Sequence, residues 1–261
     1  MAAARSRADG VSDGRRENPG DGKGQTSDPR VVALVSGGLD SAALLDLLLS
    51  SGRVVHPMYV RFGLLWEEAE LAAAREYLDA IAAPRLAPLI VLDESVATVY
   101  GDHWSLAGPA PDGATPDEAV YLPGRNLLLL AKPLIWASRH NIGEICLGTL
   151  QGNPFPDADA VFRESMERIA AHALGAEIRI AAPISGWTKR EVAARTRHLP
   201  IEKTLSCIAP AAGRMHCGRC NKCAERRRGF AGAGVPDPTV YASEAAAPAD
   251  RAAATTTPGA A

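Results

Sequence analysis

Apolar positions change their spacing repeatedly along this chain, and each change marks an element. Val31–Val35 is a short β-branched run closed by Ser36, Gly37 and Gly38. A run of that kind predicts a strand buried on both faces. Ser41–Ser50 is Leu-rich and stops at Gly52, which predicts a helix. Val54–Phe62 predicts a second strand, and Glu67–Ala82 a helix with Leu71, Ala74, Leu78 and Ile81 on one stripe. Leu89–Asp93 is a third strand, and Arg125–His140 a helix interrupted and kinked at Pro133. Glu144–Thr149 and Ile178–Ala182 are strands, and between them Phe162, Met166, Ile169 and Ala173 recur at helical spacing. Thr188 with Glu191 reads as a capping box that opens another helix. Strands that alternate with helices predict an α/β fold with a parallel sheet covered on both faces.

Two kinds of segment break this alternation. Residues 95–123 carry Pro109, Pro111, Pro116 and Pro123 and are longer than an ordinary connection, which predicts a mobile cover over an active site. Residues 1–28 and 243–261 are polar or low-complexity and read as disordered tails.

Composition narrows the functional class. At 261 residues and 47% hydrophobic, the chain can bury one core and a small second unit. Its formal net charge of −2 argues against nucleic acid as the partner. No stretch approaches the roughly 20 apolar residues of a membrane span. The first 28 residues lack a signal peptide's apolar run. The expectation is a cytoplasmic protein with no membrane partner.

The stretch from Val31 to Ser41 carries the most chemistry. A strand ends, a glycine pair turns the chain, and a helix begins. Gly37 and Gly38 have no Cβ, so their N–H groups can approach an anion. The helix N-terminus adds donors and a positive dipole end. Ser36 and Ser41 add hydroxyls, and Asp40 makes sense if Mg²⁺ lies between it and the phosphates. The lysine-bearing kinase-type loop is absent. The order S-G-G-x-D-S resembles the signature of the ATP pyrophosphatase (PP-loop) superfamily, whose members split ATP into AMP and pyrophosphate. A glycine-rich turn with no ligand is the bland alternative.

Four of the five cysteines cluster late: Cys207, Cys217, Cys220 and Cys223. Four thiolates can close a tetrahedral, structural shell on Zn²⁺. Arg214, Arg219, Lys222, Arg226, Arg227 and Arg228 surround them in sequence and could offset the charge. An iron–sulfur cluster, a redox role and simple apolar filling remain as alternatives. Cys146, inside a strand, reads as core.

The phosphate loop and the cysteine cluster, in this order, resemble the 7-cyano-7-deazaguanine synthase family, in a divergent form. The resemblance runs from about residue 31 to 240. Leu122–Asn126 is similar to the family's P-G-R-N turn, Trp187–Glu191 to its W-x-K-x-E helix start, and Thr204–Cys207 to its T-x-S-C approach to the metal. Gly229 and Phe230, followed by Gly234–Pro238, are similar to its last helix and exit. The resemblance implies an ATP-binding α/β domain over 29–200 and a zinc-binding segment over 201–242 packed on it. It implies conversion of 7-carboxy-7-deazaguanine and ammonia to the nitrile through an adenylated carboxylate, and it suggests a homodimer. Ser36, Gly37, Gly38, Leu39, Asp40 and Ser41 would bind phosphate, with Arg125 and Asn126 completing the nucleotide site. Asp40 would organise Mg²⁺, Lys189 would reach pyrophosphate, and Asp157 would hold the guanine-like edge of the substrate. Thr149–Asn153 follows a strand end, where ligands gather in open parallel sheets.

Two stretches depart from the family. Its Y-P-D-C-R-P-E is here Phe155–Val161, with Asp159 and Val161 at the Arg and Glu positions. Its aromatic-Gly-Gln-Arg-His stretch is replaced by Arg61–Trp66. Competing readings are an enzyme that forms an amide or nitrile from another small acid, an RNA-modifying PP-loop enzyme, and a zinc-ribbon binding module with an inactive nucleotide fold.

Overall fold

The computed structural model describes residues 29–243, so the two stretches read as tails lie outside the described residues apart from Ser243. Its centre is a five-stranded sheet of order β3-β2-β1-β4-β5, built from β1 (Arg30–Leu34), β2 (Val54–Arg61), β3 (Ile90–Asp93), β4 (Glu144–Cys146) and β5 (Arg179–Ala181). Every pairing is parallel. The helices are α1 (Leu39–Ser50), α2 (Glu67–Ile81), α3 (Ala97–Tyr100), α4 (Trp104–Ala107), α5 (Arg125–Arg139), α6 (Ala160–Leu174), α7 (Lys189–Arg195) and α8 (Asn221–Ala233).

Side chains of β1 alternate between two cores. Val31 and Ala33 pack with Leu44, Leu45, Val192 and Phe230 of α1, α7 and α8. Val32 and Leu34 pack with Leu130, Leu134 and Met166 of α5 and α6. This two-sided burial explains why the strand is apolar at successive positions. A third cluster lies around the loops and contains Phe62, Leu64, Trp66, Val120, Leu122, Leu205 and the four clustered cysteines. The chain runs outward from β1 through β2 to β3, then returns to place β4 on the other side of β1. Ligands gather beyond the carboxyl ends of strands at such a reversal.

The structure corrects four sequence expectations. Helix α5 continues through Pro133 instead of being interrupted there. The residue lacks the N–H that would bond one turn back, but Leu130, Pro133, Leu134 and Ala137 are buried together and hold the helix on the sheet. In α6 the inward stripe is Phe162, Met166, Ala170 and Leu174, while Ile169 is 57% exposed. Strand β4 stops at Cys146, short of Thr149. Residues 95–123 are not one long loop: they contain α3, α4 and a 3₁₀ turn over Asp117–Val120. Asn221 Nδ2 ties that turn to α8 by donating to the Thr115 carbonyl at 2.9 Å. Cys146 is fully buried, as expected of a core residue.

Candidate active site and metal centre

The turn after β1 is shaped by steric limits. Gly37 has φ +72°, and a Cβ there would lie 2.7 Å from the Glu70 carbonyl oxygen and 2.9 Å from the Ala74 nitrogen. Only glycine fits this left-handed, backbone-crowded position. Gly38 begins α1 with extended backbone. Ser36 N–H donates to Ser41 Oγ at 2.9 Å, and the two hydroxyls lie 3.1 Å apart. Leu205 N–H donates to the Gly37 carbonyl at 2.9 Å, so the segment leading to the cysteines is bonded to the glycine turn.

One cavity unites most of the candidate residues. Ser36, Gly38, Leu39, Asp40, Arg125, Asn126, Asp157 and Lys189 all line it, with Gly37 and Ser41 directly behind. Lys189, the first residue of α7 after a complete Thr188–Glu191 capping box, donates to Asp40 at 2.7 and 2.8 Å. It also pairs with Glu225 at 2.9 Å. Burial alone would lower the Lys189 pKa, but the Asp40 and Glu225 carboxylates outweigh it and raise it above the ordinary lysine value. Burial likewise opposes ionisation of Glu225, yet Lys189 and Lys222 hold its pKa below the ordinary carboxylate range. Lys222 and the buried Arg226 line the same end, so three cations face two carboxylates there.

At the other end the wall is aromatic and polar. Trp66 stacks on Trp104 with ring centroids 5.5 Å apart, and Tyr121 on Phe155 at 5.1 Å. All four line the cavity. Asp157 Oδ2 accepts from the Asn126 N–H at 3.1 Å, in the first turn of α5, and Asn126 Nδ2 donates to the Asp157 carbonyl at 2.9 Å. Asp157 therefore does not cap α6; Asp159 does, accepting from Phe162 N–H at 2.7 Å. The second carboxylate oxygen of Asp157, Oδ1, is buried without a protein hydrogen bond, and so is Arg125 Nε. Leaving a buried polar atom unpaired costs about 1–3 kcal/mol, so both atoms point to a ligand. Thr149–Asn153 stays outside this cavity, with Gln151 N–H bonded instead to the Trp187 carbonyl at 3.0 Å.

Sequence reasoning missed Glu70, Tyr121, Trp104, Ser206 and Glu225 as lining residues. Glu70 and Trp66 lie in a dense aromatic and acidic stretch just beyond β2, and that position past a strand's carboxyl end was the available signal.

The cysteine cluster is assembled as expected. The sulfurs of Cys207, Cys217, Cys220 and Cys223 lie within 4.8 Å of one another, all buried. The N–H groups of Ala209 and Cys217 point at Cys207 Sγ, at 3.4 and 3.3 Å. Those of Arg219 and Cys220 point at Cys217 Sγ, at 3.4 and 3.3 Å. Peptide dipoles thus face the sulfurs, while several of the nearby cations are engaged elsewhere. Arg214 bonds Glu76, Lys222 bonds Glu225, and Arg226 donates to Thr204 Oγ1 at 2.9 Å and the Ile201 carbonyl at 3.0 Å. The cluster is suited to hold a metal ion.

A parallel sheet, an S-G-G-L-D-S turn at its reversal point and a four-cysteine cluster suited to a metal define an α/β enzyme of the PP-loop class. Residues 30–234 match the family described as queuosine biosynthesis protein QueC, and the chain belongs to that family. It is 33% identical over 229 residues to the 7-cyano-7-deazaguanine synthase of Thiobacillus denitrificans, covering 82% of this chain and 99% of that one. A protein of the same name from Anaeromyxobacter sp. is 33% identical over 225 residues, covering 81% and 96%. The one from Xanthomonas campestris pv. campestris strain B100 is 31% identical over 223 residues, covering 82% and 98%. Among solved structures, the U34-tRNA thiolase NcsA of Methanococcus maripaludis aligns with TM-score 0.44 at 12% identity, over 81% of this chain and 75% of that one. No helix among the described residues is long and apolar enough to cross a membrane.

Proposed function

We propose that this chain is an ATP-dependent ligase that converts 7-carboxy-7-deazaguanine and ammonia to 7-cyano-7-deazaguanine. The observation that carries the reading is the single cavity joining the glycine turn and its cations to the unpaired Asp157 Oδ1. A carboxylate oxygen is a poor leaving group, and transfer of AMP to it makes it a good one. Ammonia then displaces AMP to give the amide. A second ATP activates the amide oxygen in the same way, and loss of AMP leaves the nitrile.

The residues suit these tasks. The turn from Ser36 to Ser41 offers N–H and hydroxyl donors to phosphate. Lys189, Lys222 and Arg226 line the cavity and would face the departing pyrophosphate, and Asp40 would hold Mg²⁺. Asp157 Oδ1 would accept from the ring N–H or exocyclic amine of a guanine-like edge, worth about 1.5–3 kcal/mol per charged bond. The stacked aromatic pairs favour a planar ring between phosphate and Asp157. Of the replaced family positions, Asp159 caps α6 and Val161 is 68% exposed, so neither change removes a wall of the cavity.

The metal of the cysteine centre would be zinc in a structural role. The Cys207–Cys220 and Cys217–Cys223 sulfur separations are 3.8 and 3.9 Å. A tetrahedron with Zn–S bonds of about 2.3 Å has edges of about 3.8 Å. Four sulfurs leave no open position, so this metal would do no chemistry itself.

The test is incubation of purified protein with 7-carboxy-7-deazaguanine, ammonia and Mg-ATP, with products read by mass spectrometry. Nitrile with AMP and pyrophosphate supports the reading. Pyrophosphate release driven by a different acid, with this one untouched, overturns the substrate and spares the adenylation.

A further inference from the structure

The assignments above give no task to Glu70, a charged group of the cavity wall. Glu70 is in the first turn of α2, and its carbonyl abuts Gly37 of the phosphate turn. Glu70 lines the same cavity as Ser36 and Gly38 of that turn and as Asp157. Tyr59 of β2 donates to Glu70 Oε2 at 2.7 Å, which fixes one oxygen and leaves the other for a ligand. Arg125 of α5 and Glu67, in α2 like Glu70, are the other charged groups acting on it. Burial pushes the Glu70 pKa up to about 7; Glu67 adds to the rise, while the Tyr59 hydrogen bond and the Arg125 charge oppose it. A general base works best when its pKa lies near the working pH.

The ligase reading carries a proton problem. Nitrogen reaches the site mainly as ammonium at neutral pH, and ammonium has no lone pair with which to attack. A carboxylate that can bind the cation, take one proton and sit beside the acyl-phosphate position would solve it. We propose that Glu70 is that group: it binds ammonium and accepts a proton from it, releasing ammonia next to the adenylated carboxylate. This inference rests on the ligase reading. The balance is simple. Ammonium gives one proton to the Glu70 carboxylate. The nitrogen lone pair forms the C–N bond, and the C–O bond to AMP breaks with its electron pair leaving on AMP. The surplus proton on the new amide nitrogen passes to water. Nothing is oxidised or reduced.

The experiment separates acid activation from nitrogen attack. Exchange of pyrophosphate into ATP, dependent on 7-carboxy-7-deazaguanine, needs no nitrogen donor. Glu70→Gln should retain that exchange and lose about 10²–10⁴-fold in ammonia-dependent amide formation. It should still form hydroxamate from hydroxylamine, which is already unprotonated near neutral pH. Its residual ammonia rate should climb with pH in proportion to free ammonia alone. Tyr59→Phe keeps the carboxylate but removes a bond that holds its pKa down. The rising limb of its ammonia-dependent rate should move to higher pH. Glu70→Gln with wild-type ammonia kinetics, or with exchange and amide formation lost together, overturns the role of Glu70. A wild-type protein that shows no exchange with this acid overturns the substrate reading and the inference with it.

Discussion

Gly37→Ala and Gly38→Ala form a pair that tests the construction of the phosphate turn. At Gly37 the new methyl would sit 2.7 Å from the Glu70 oxygen and 2.9 Å from the Ala74 nitrogen, both backbone atoms of α2 that have no rotamer to change. The residue would also have to keep a φ of +72°. A left-handed conformation costs an alanine about 1–2 kcal/mol, and forcing a methyl into packed backbone about 1–3 kcal/mol. The expected loss is therefore about 2–5 kcal/mol of folding stability. At Gly38 the nearest neighbours of a Cβ are Ser36 Oγ at 3.4 Å and the Leu205 oxygen at 3.5 Å, with φ −84°. That methyl fits the fold but intrudes on the cavity wall that would face phosphate. Urea unfolding should separate the two: a lowered midpoint with unchanged slope for Gly37→Ala, and near wild-type stability for Gly38→Ala. Gly38→Ala should instead lose ATP binding by calorimetry. A Gly37→Ala protein within 0.5 kcal/mol of wild type would refute the steric argument for this turn.

Three further outcomes are expected. Cys220→Ser should release the bound metal, read as zinc by elemental analysis, and destabilise the C-terminal quarter, because a structural zinc site supplies on the order of 10–16 kcal/mol; full stability without metal would end that assignment. Asp40→Ala should abolish ATP cleavage while leaving the fold intact, since Lys189 keeps its 2.9 Å bond to Glu225; ADP and phosphate as the main wild-type products would count against the phosphate-turn chemistry. Glu70, with a pKa raised from 4.5 to about 7, favours folding fully below pH 4.5 and loses that contribution as pH rises through 7. Glu70→Gln should then gain about 1–3 kcal/mol over wild type at pH 8 and little at pH 5, by urea midpoints. An equal difference at both values would show that the carboxyl is not desolvated.

What could be read from the sequence was whatever depends on near neighbours. The glycine turn announces itself because strand, glycines and helix start are contiguous. The metal centre does so because three of its cysteines are spaced by two residues each. The stripe of α6 was misassigned at Ile169 because apolar residues three and four apart fit two adjacent helix phases, and only packing on the sheet chooses between them. Asp157 stands out in the sequence as a candidate, and the structure places it on the cavity wall. Its tie to α5 was hidden because its partner, Asn126, is 31 residues away. Trp66 and Trp104 meet only where α4 folds back onto the stretch after β2, with Leu65 N–H bonded to the Ser105 carbonyl, which no local pattern encodes.

The bond from Leu205 to Gly37 gives the site a place in the life of a growing chain. The glycine turn is among the earliest parts of the described fold to leave a ribosome, while Lys189, Leu205, Lys222 and Arg226 are among the last. A nascent chain ending before residue 189 holds the turn without the cations that face it. Its cavity is half-built, and the four clustered cysteines have not been made. Proteins generally fold unit by unit during synthesis, N-terminal parts first, but this cavity spans the chain from front to back. The cavity is therefore complete only when nearly the whole described sequence is present.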